Sequence, residues 1–227
     1  MRCAAGGLAL VLLGACAPTS LAPSIIRYEP LDADEPEHRL SMRSGPRLAS
    51  ALTSLSAGTV DTEVGTPVPP ELGVALEYQR TQPLGQGFAF HAGVQAELFY
   101  FLPSPGIGLM GGISWRKQFG TVSIAPALAV RGATDFGIAT ATPSGSFISG
   151  DFGLSISAAE GDSARLGITP FLSVVQSFRA TMNTVFFTGA LLFARIRSIE
   201  LLVGVGRVYT GGVAWNVPLL GVRAGGN

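Results

Sequence analysis

Residues 88–100 read Phe-Ala-Phe-His-Ala-Gly-Val-Gln-Ala-Glu-Leu-Phe-Tyr. Phe88, Phe90, Ala92, Val94, Ala96, Leu98 and Tyr100 alternate with Ala89, His91, Gly93, Gln95 and Glu97. A period of two puts the first set on one face of a strand and the second on the other. The run is about twice the usual strand length. Its second face is small and weakly polar, with single charges, rather than dense in Lys, Glu, Asp and Arg.

The same grammar repeats along the chain. Leu72, Val74, Leu76 and Tyr78 alternate with Gly73, Ala75, Glu77 and Gln79. Ile107, Leu109, Ile113 and Trp115 alternate with Gly108, Met110, Gly112, Ser114 and Arg116, and Val122, Ile124, Leu128 and Val130 with Ser123, Ala125, Ala127 and Ala129. Phe152, Leu154 and Ile156 form another such face, as do Leu166, Ile168, Leu172 and Val174. Further strands are expected at about 184–195, 199–209 and 212–222. Turn signals separate the runs, among them Pro103-Ser104-Pro105-Gly106, Phe119-Gly120, Glu160-Gly161-Asp162-Ser163 and Thr210-Gly211-Gly212. From Leu72 onward this gives nine strands. Residues 38–44 alternate weakly and supply a tenth, which satisfies the even parity of single-chain bacterial barrels. Eight strands, with two weak segments demoted, is the alternative. Pro126, Pro170 and Pro218 fall inside strands and predict bulges.

Serial antiparallel strands fit a sandwich, a soluble barrel or a membrane barrel, and the second face discriminates. A face meeting bulk water carries many charges, whereas here it is mostly Gly, Ala, Ser and Thr. Small, weakly polar residues suit a crowded lumen, and the Leu/Val/Ile/Phe face suits lipid. Strands of roughly 10–15 residues exceed the 9–11 that span a bilayer when tilted. Aromatics gather near strand ends: Phe99, Tyr100, Phe101, Trp115, Phe119, Tyr209 and Trp215. The pattern resembles small bacterial outer-membrane β-barrels over about residues 71–223, with a start near 38. The resemblance implies an all-β, antiparallel, up-and-down transmembrane barrel. One departure is the C-terminus, Ala224-Gly225-Gly226-Asn227, where such barrels often end on an aromatic.

Composition agrees with an apolar solvent. Charged residues make up 13% of the chain, about half the usual share, and glycine numbers 30. After the N-terminus no apolar run reaches 18 residues, so no helix is expected to span a membrane. Formal charge is zero, which gives nucleic acid no electrostatic footing.

The N-terminus carries an address. Arg2 precedes an apolar run from Ala4 to Leu13, followed by Leu13-Gly14-Ala15-Cys16. This resembles a bacterial lipobox, which implies cleavage before Cys16 and acylation of Cys16, palmitate being one such acyl group. Ala17 follows, without the aspartate that retains many enterobacterial lipoproteins in the inner membrane, so the expected location is the outer membrane of a Gram-negative bacterium. Cys3 leaves with the signal and Cys16 is blocked, so no thiol chemistry or disulfide is expected. The expected layout is a signal peptide at 1–15, a Pro-, Ser- and acid-rich tether at 16–37, and a barrel domain at 38–227. A loop or short helix is expected at 45–70. With the tether on the periplasmic side, the linkers 45–71 and 132–146 fall outside the cell. The short connections at 81–85, 118–119, 159–163 and 196–198 then fall inside.

The polar residues of the second face, Glu77, His91, Gln95, Glu97, Arg116, Arg131 and Glu200, are expected to form a structural network in the lumen. Glu77, Glu97 and Glu200 would meet Arg116, Arg131 or Arg165. His91 and Glu97 lie about 20 Å apart along one strand, so any partner of His91 must come from a neighbouring strand. No catalytic residue, metal or cofactor is expected. The leading expectation is a non-enzymatic outer-membrane lipoprotein, a structural or interaction component of the envelope. Its expected partners are membrane lipid and an envelope protein. Two alternatives are a lipid-tethered periplasmic barrel binding a small apolar ligand, and a lipid-modifying outer-membrane enzyme built on His91.

Overall fold

The computed structural model describes residues 36–46, 72–98, 106–135, 146–160, 164–177, 184–210 and 213–226. The signal segment, Cys16, most of the tether and the expected loop or helix at 45–70 beyond Pro46 lie outside the described residues. Every described element is a strand. In chain order they are β1 (Glu37–Pro46), β2 (Leu72–Gly85), β3 (Phe88–Leu98), β4 (Gly106–Trp115), β5 (Lys117–Phe119) and β6 (Val122–Asp135). These are followed by β7 (Ser146–Glu160), β8 (Ala164–Ser177), β9 (Thr184–Ile196), β10 (Ile199–Thr210) and β11 (Val213–Gly226).

Apart from β4 and β5, sequence-adjacent strands pair antiparallel, and β1 closes on β11. β5 continues β4 past a break at Arg116, and both pair with β6 in one register. The result is a closed ten-strand barrel, so the weakly patterned segment near 38–44 is a full strand and the eight-strand alternative is set aside. Closure leaves no sheet edge, which satisfies the backbone without help from solvent.

The register fixes the shape. His38 faces Arg80, and successive partners are Ala92, Gly111, Val130, Gly150, Val174, Phe186, Tyr209 and Ala214. His38 also faces Gly226, so one circuit displaces the register by the twelve residues from Ala214 to Gly226. Twelve residues at about 3.4 Å, against ten strands about 4.8 Å apart, give a tilt of about 40°. Each residue then rises about 2.6 Å along the barrel axis.

The two faces separate as the alternation dictates. Leu109, Val130, Leu172, Leu192, Val203 and Leu220 are among the large apolar residues exposed on the outside. Their inward neighbours Met110, Ala129, Phe171, Leu191, Leu202 and Leu219 are buried. Many strand glycines face inward opposite a large side chain. Gly93 lies across from Met110, Gly167 from Phe193, Gly189 from Phe171 and Gly221 from Arg43. A Cβ on Gly167 would collide with the Phe193 ring and with the carbonyl oxygen of Ile156. Glycine is thus the complement of the bulky lumen residues, and close packing requires it.

Three local expectations are corrected. Residues 118–119 belong to β5, and the turn that follows them is Gly120-Thr121. β2 runs through 81–85, and the turn is Gln86-Gly87; with Gly85 these residues have positive φ, the conformation such tight hairpins demand. The three strand prolines cause no register shift. Pro126 faces Leu154, Pro218 faces Val205, and Pro170 faces Ala190, all in register. The β7–β8 ladder skips the positions beside Pro170 and resumes unshifted, because the missing N–H costs a bond without adding a residue. The described irregularity of register lies between Pro83 and Gly85.

Candidate functional site in the barrel lumen

The end carrying Gln86-Gly87, Gly120-Thr121 and Arg197-Ser198 is called the turn end, and the opposite one the loop end. The lumen is filled differently toward each. Toward the loop end on β7–β11, Phe147, Phe171, Val175, Val185, Phe187, Leu191, Val208, Val217 and Leu219 make one apolar cluster. Phe171 and Phe187 meet edge to face at 5.1 Å. The rest of the lumen mixes polar groups with buried apolar residues such as Met110, Ala127, Ala129, Phe193 and Leu202.

Four polar groups lie there. At the turn end Glu37 accepts from Arg39 at 2.6 Å and lies 3.5 Å from Arg195, while Glu200 lies 3.6 Å from Arg223. Above them on β1 and β2, Arg43 pairs with Glu77. Across the lumen, Arg131 donates through Nε to Ser149 at 3.2 Å and through Nη1 to Gln95 at 3.2 Å. The same guanidinium is 3.8 Å from Asp151 and stacks on Phe147 at 5.4 Å. All nine of these charged side chains are buried. Buried ions demand partners of opposite sign, and the alternation of β1 supplies three of them, Glu37, Arg39 and Arg43, on its inner face.

His91 forms the fourth group. Its Nδ1 lies 2.9 Å from Thr81 Oγ1 and 3.2 Å from Gln79 Nε2, and its Nε2 lies 2.9 Å from Ser114 Oγ. A serine hydroxyl at this distance from an imidazole is an arrangement that can activate a nucleophile. Here the His91 ring has no exposed surface and Ser114 almost none. Both ring nitrogens are engaged, so the imidazole braces β2, β3 and β4 from within.

The expected network residues are thus placed as follows. Glu77, His91, Gln95, Arg131 and Glu200 all face inward and are buried. Of these, Gln95 and Arg131 bond each other, while Glu77 and Glu200 take Arg43 and Arg223 rather than the arginines expected. Arg165, half-buried, is 3.5 Å from Ser123. Arg116 stands half-buried at the β4–β5 break, 3.3 Å from Gln118. The side chain of Glu97 and Cys16 lie outside the described residues. Sequence reasoning missed Glu37, Arg39, Arg43, Asp151, Arg195, Arg223 and Ser114. The signal for the first three was present, since Glu37, Arg39, Ser41 and Arg43 alternate with His38, Leu40 and Met42.

The outer surface has its own order. Among the side chains described, Glu37, Glu77, Asp151 and Glu200 are the acids, and all four point into the lumen. The exposed formal charges are cationic and stand near the rims: Arg80, Lys117 and Arg197 toward the turn end, and Arg207 toward the loop end. Phe88 and Trp115 pair at 6.4 Å at the turn end, with Phe90 and Phe119 nearby, and Phe186 and Tyr209 stand toward the loop end. No helix among the described residues is long and apolar enough to cross a membrane, which does not bear on crossing by strands. No protein-family model matches the chain, and no curated protein matches it.

Proposed function

We propose that this protein is a non-enzymatic outer-membrane β-barrel lipoprotein. Its ten strands span the bilayer, its N-terminus is tethered by lipid on Cys16, and it serves as a structural or interaction component of the cell envelope. The observation that carries the reading is the inverted distribution of polarity. The acids and most arginines described are inside, while the exposed middle of the barrel is a continuous belt of Leu, Val, Ile and Phe. Isolated exposed apolar residues are ordinary, but a belt around the whole circumference greatly exceeds the few hundred Å² typical of the largest patch on a soluble monomer. From Lys117 and Arg197 to Arg207 the axial distance is about 26 Å, which matches the apolar band of outer-membrane barrels, and Arg80 stands about 17 Å from Arg207. The filled lumen supports a non-conducting scaffold, and the loop end is then the surface left for an envelope partner.

Extraction behaviour tests this. A Cys16→Ala form exported with an ordinary signal is expected to stay in the membrane fraction until detergent is added. It is also expected to run faster unheated than boiled on a gel. Release as soluble protein would contradict the spanning reading while leaving the barrel itself untouched.

A further inference from the structure

Among the described residues the outward cations lack acidic partners, and at one place a cation stands beside a histidine. On β1 and β2 near the turn end, His38 faces Arg80 in the register, and both are exposed. Tyr78, one outward position above Arg80, puts its hydroxyl 2.6 Å from His38 Nδ1, with the two rings 5.9 Å apart. When the phenol donates to Nδ1, the imidazole proton is held on Nε2, the nitrogen not engaged by Tyr78. Paired residues on neighbouring strands have Cβ atoms about 5 Å apart, so the His38 Nε2–H and the Arg80 guanidinium can reach one ligand. Among the described residues Arg80 has no acidic partner and no side-chain hydrogen bond. The outward neighbours on the loop-end side are apolar: Leu40, Leu76, Ala92 and Val94. A guanidinium fork and an imidazole donor at the foot of an apolar wall suit an anionic oxygen cluster that carries hydrocarbon.

We propose that His38, Tyr78 and Arg80 form a phosphate site for the headgroup of a phospholipid in the leaflet at the turn end. Arg80 engages the phosphate oxygens as a fork, His38 donates from Nε2, and Tyr78 holds the imidazole in that tautomer. The acyl chains lie along the wall from Leu40 to Val94. The site rests on the membrane reading above and adds a ligand class to it.

The test uses the full-length protein in a non-ionic detergent, with three probes counted by native mass spectrometry. Phosphatidylglycerol carries both phosphate and chains, diacylglycerol the chains alone, and inorganic phosphate the anion alone. Phosphatidylglycerol is expected to bind at least tenfold more tightly than either fragment. Arg80→Gln and His38→Ala are each expected to weaken it several-fold, and the pair more than tenfold. Tyr78→Phe should give a smaller loss, and Arg207→Gln, near the other rim, none. Unchanged heat-modifiable mobility establishes that each variant is folded. Equal retention of phosphatidylglycerol and diacylglycerol, equal affinity for inorganic phosphate, or full binding by the double variant would each overturn the site. A protein that inserts into vesicles without these preferences sinks the site alone. One that does not partition into vesicles sinks the membrane reading with it.

Discussion

Arg43 and Glu77 lie almost wholly buried in the lumen, where they pair and offset each other's charge. Truncating one member of a buried pair leaves the remaining charge desolvated, which typically costs about 3–5 kcal/mol. Glu77→Ala is therefore expected to lower stability by about that much in urea unfolding from detergent micelles. Arg43→Met combined with Glu77→Leu should recover most of it, since apolar replacement of both partners removes the penalty. A near-zero effect of Glu77→Ala would mean that water or another group compensates Arg43. His91 illustrates what a single sequence withholds at this scale. Its inward face is readable from alternation, but Ser114 becomes its partner only through the β3–β4 register, which places Ala89 opposite Ser114 and His91 opposite Gly112. No local signal specifies that diagonal.

At the scale of the element, the strands with a polar inner face were legible because their two faces differ in composition. In β7, Phe152, Leu154 and Ile156 turn outward while Asp151, Ser155 and Ser157 turn inward. β9 was less legible, since Val185, Phe187, Leu191 and Phe193 are buried while Phe186, Leu192 and Ile196 are exposed. A strand apolar on both faces shows no alternation, so the apolar half of the lumen could not be read locally. The prolines misled for a related reason: a missing N–H predicts a lost bond, and whether an extra residue accompanies it depends on the partner strand. Turn chemistry carries a stability prediction of its own. Arg197, first in the two-residue β9–β10 turn, has φ of 54°, a position where glycine is preferred. Left-handed backbone costs a non-glycine residue roughly 1 kcal/mol. Arg197→Gly is thus expected to stabilise the barrel by up to about 1 kcal/mol, read as a higher denaturant midpoint with an unchanged slope. Destabilisation would assign the Arg197 side chain a contact that outweighs the strain.

For the whole molecule, ten strands with a twelve-residue displacement give a narrow barrel tilted by about 40°. Apolar side chains fill it toward the loop end on β7–β11, and ion pairs fill the turn end and the side lined by β1, β2, β6 and β7. The strand count was readable because parity required the weak segment near 38–44 to pair, which it does, with β2 on one side and β11 on the other. What the outer belt touches is reported directly by an arginine placed on it. Val203 is exposed at mid-barrel, and Ile199 is exposed on the same strand beside the β9–β10 turn. The decisive measurement is the unfolding free energy, from vesicles, of Val203→Arg and Ile199→Arg relative to the parent. In lipid, Val203→Arg should cost about 2–4 kcal/mol and Ile199→Arg about 0–1 kcal/mol. Losses within about 0.5 kcal/mol at both positions, as for substitutions on a water-facing surface, would contradict a membrane-spanning barrel.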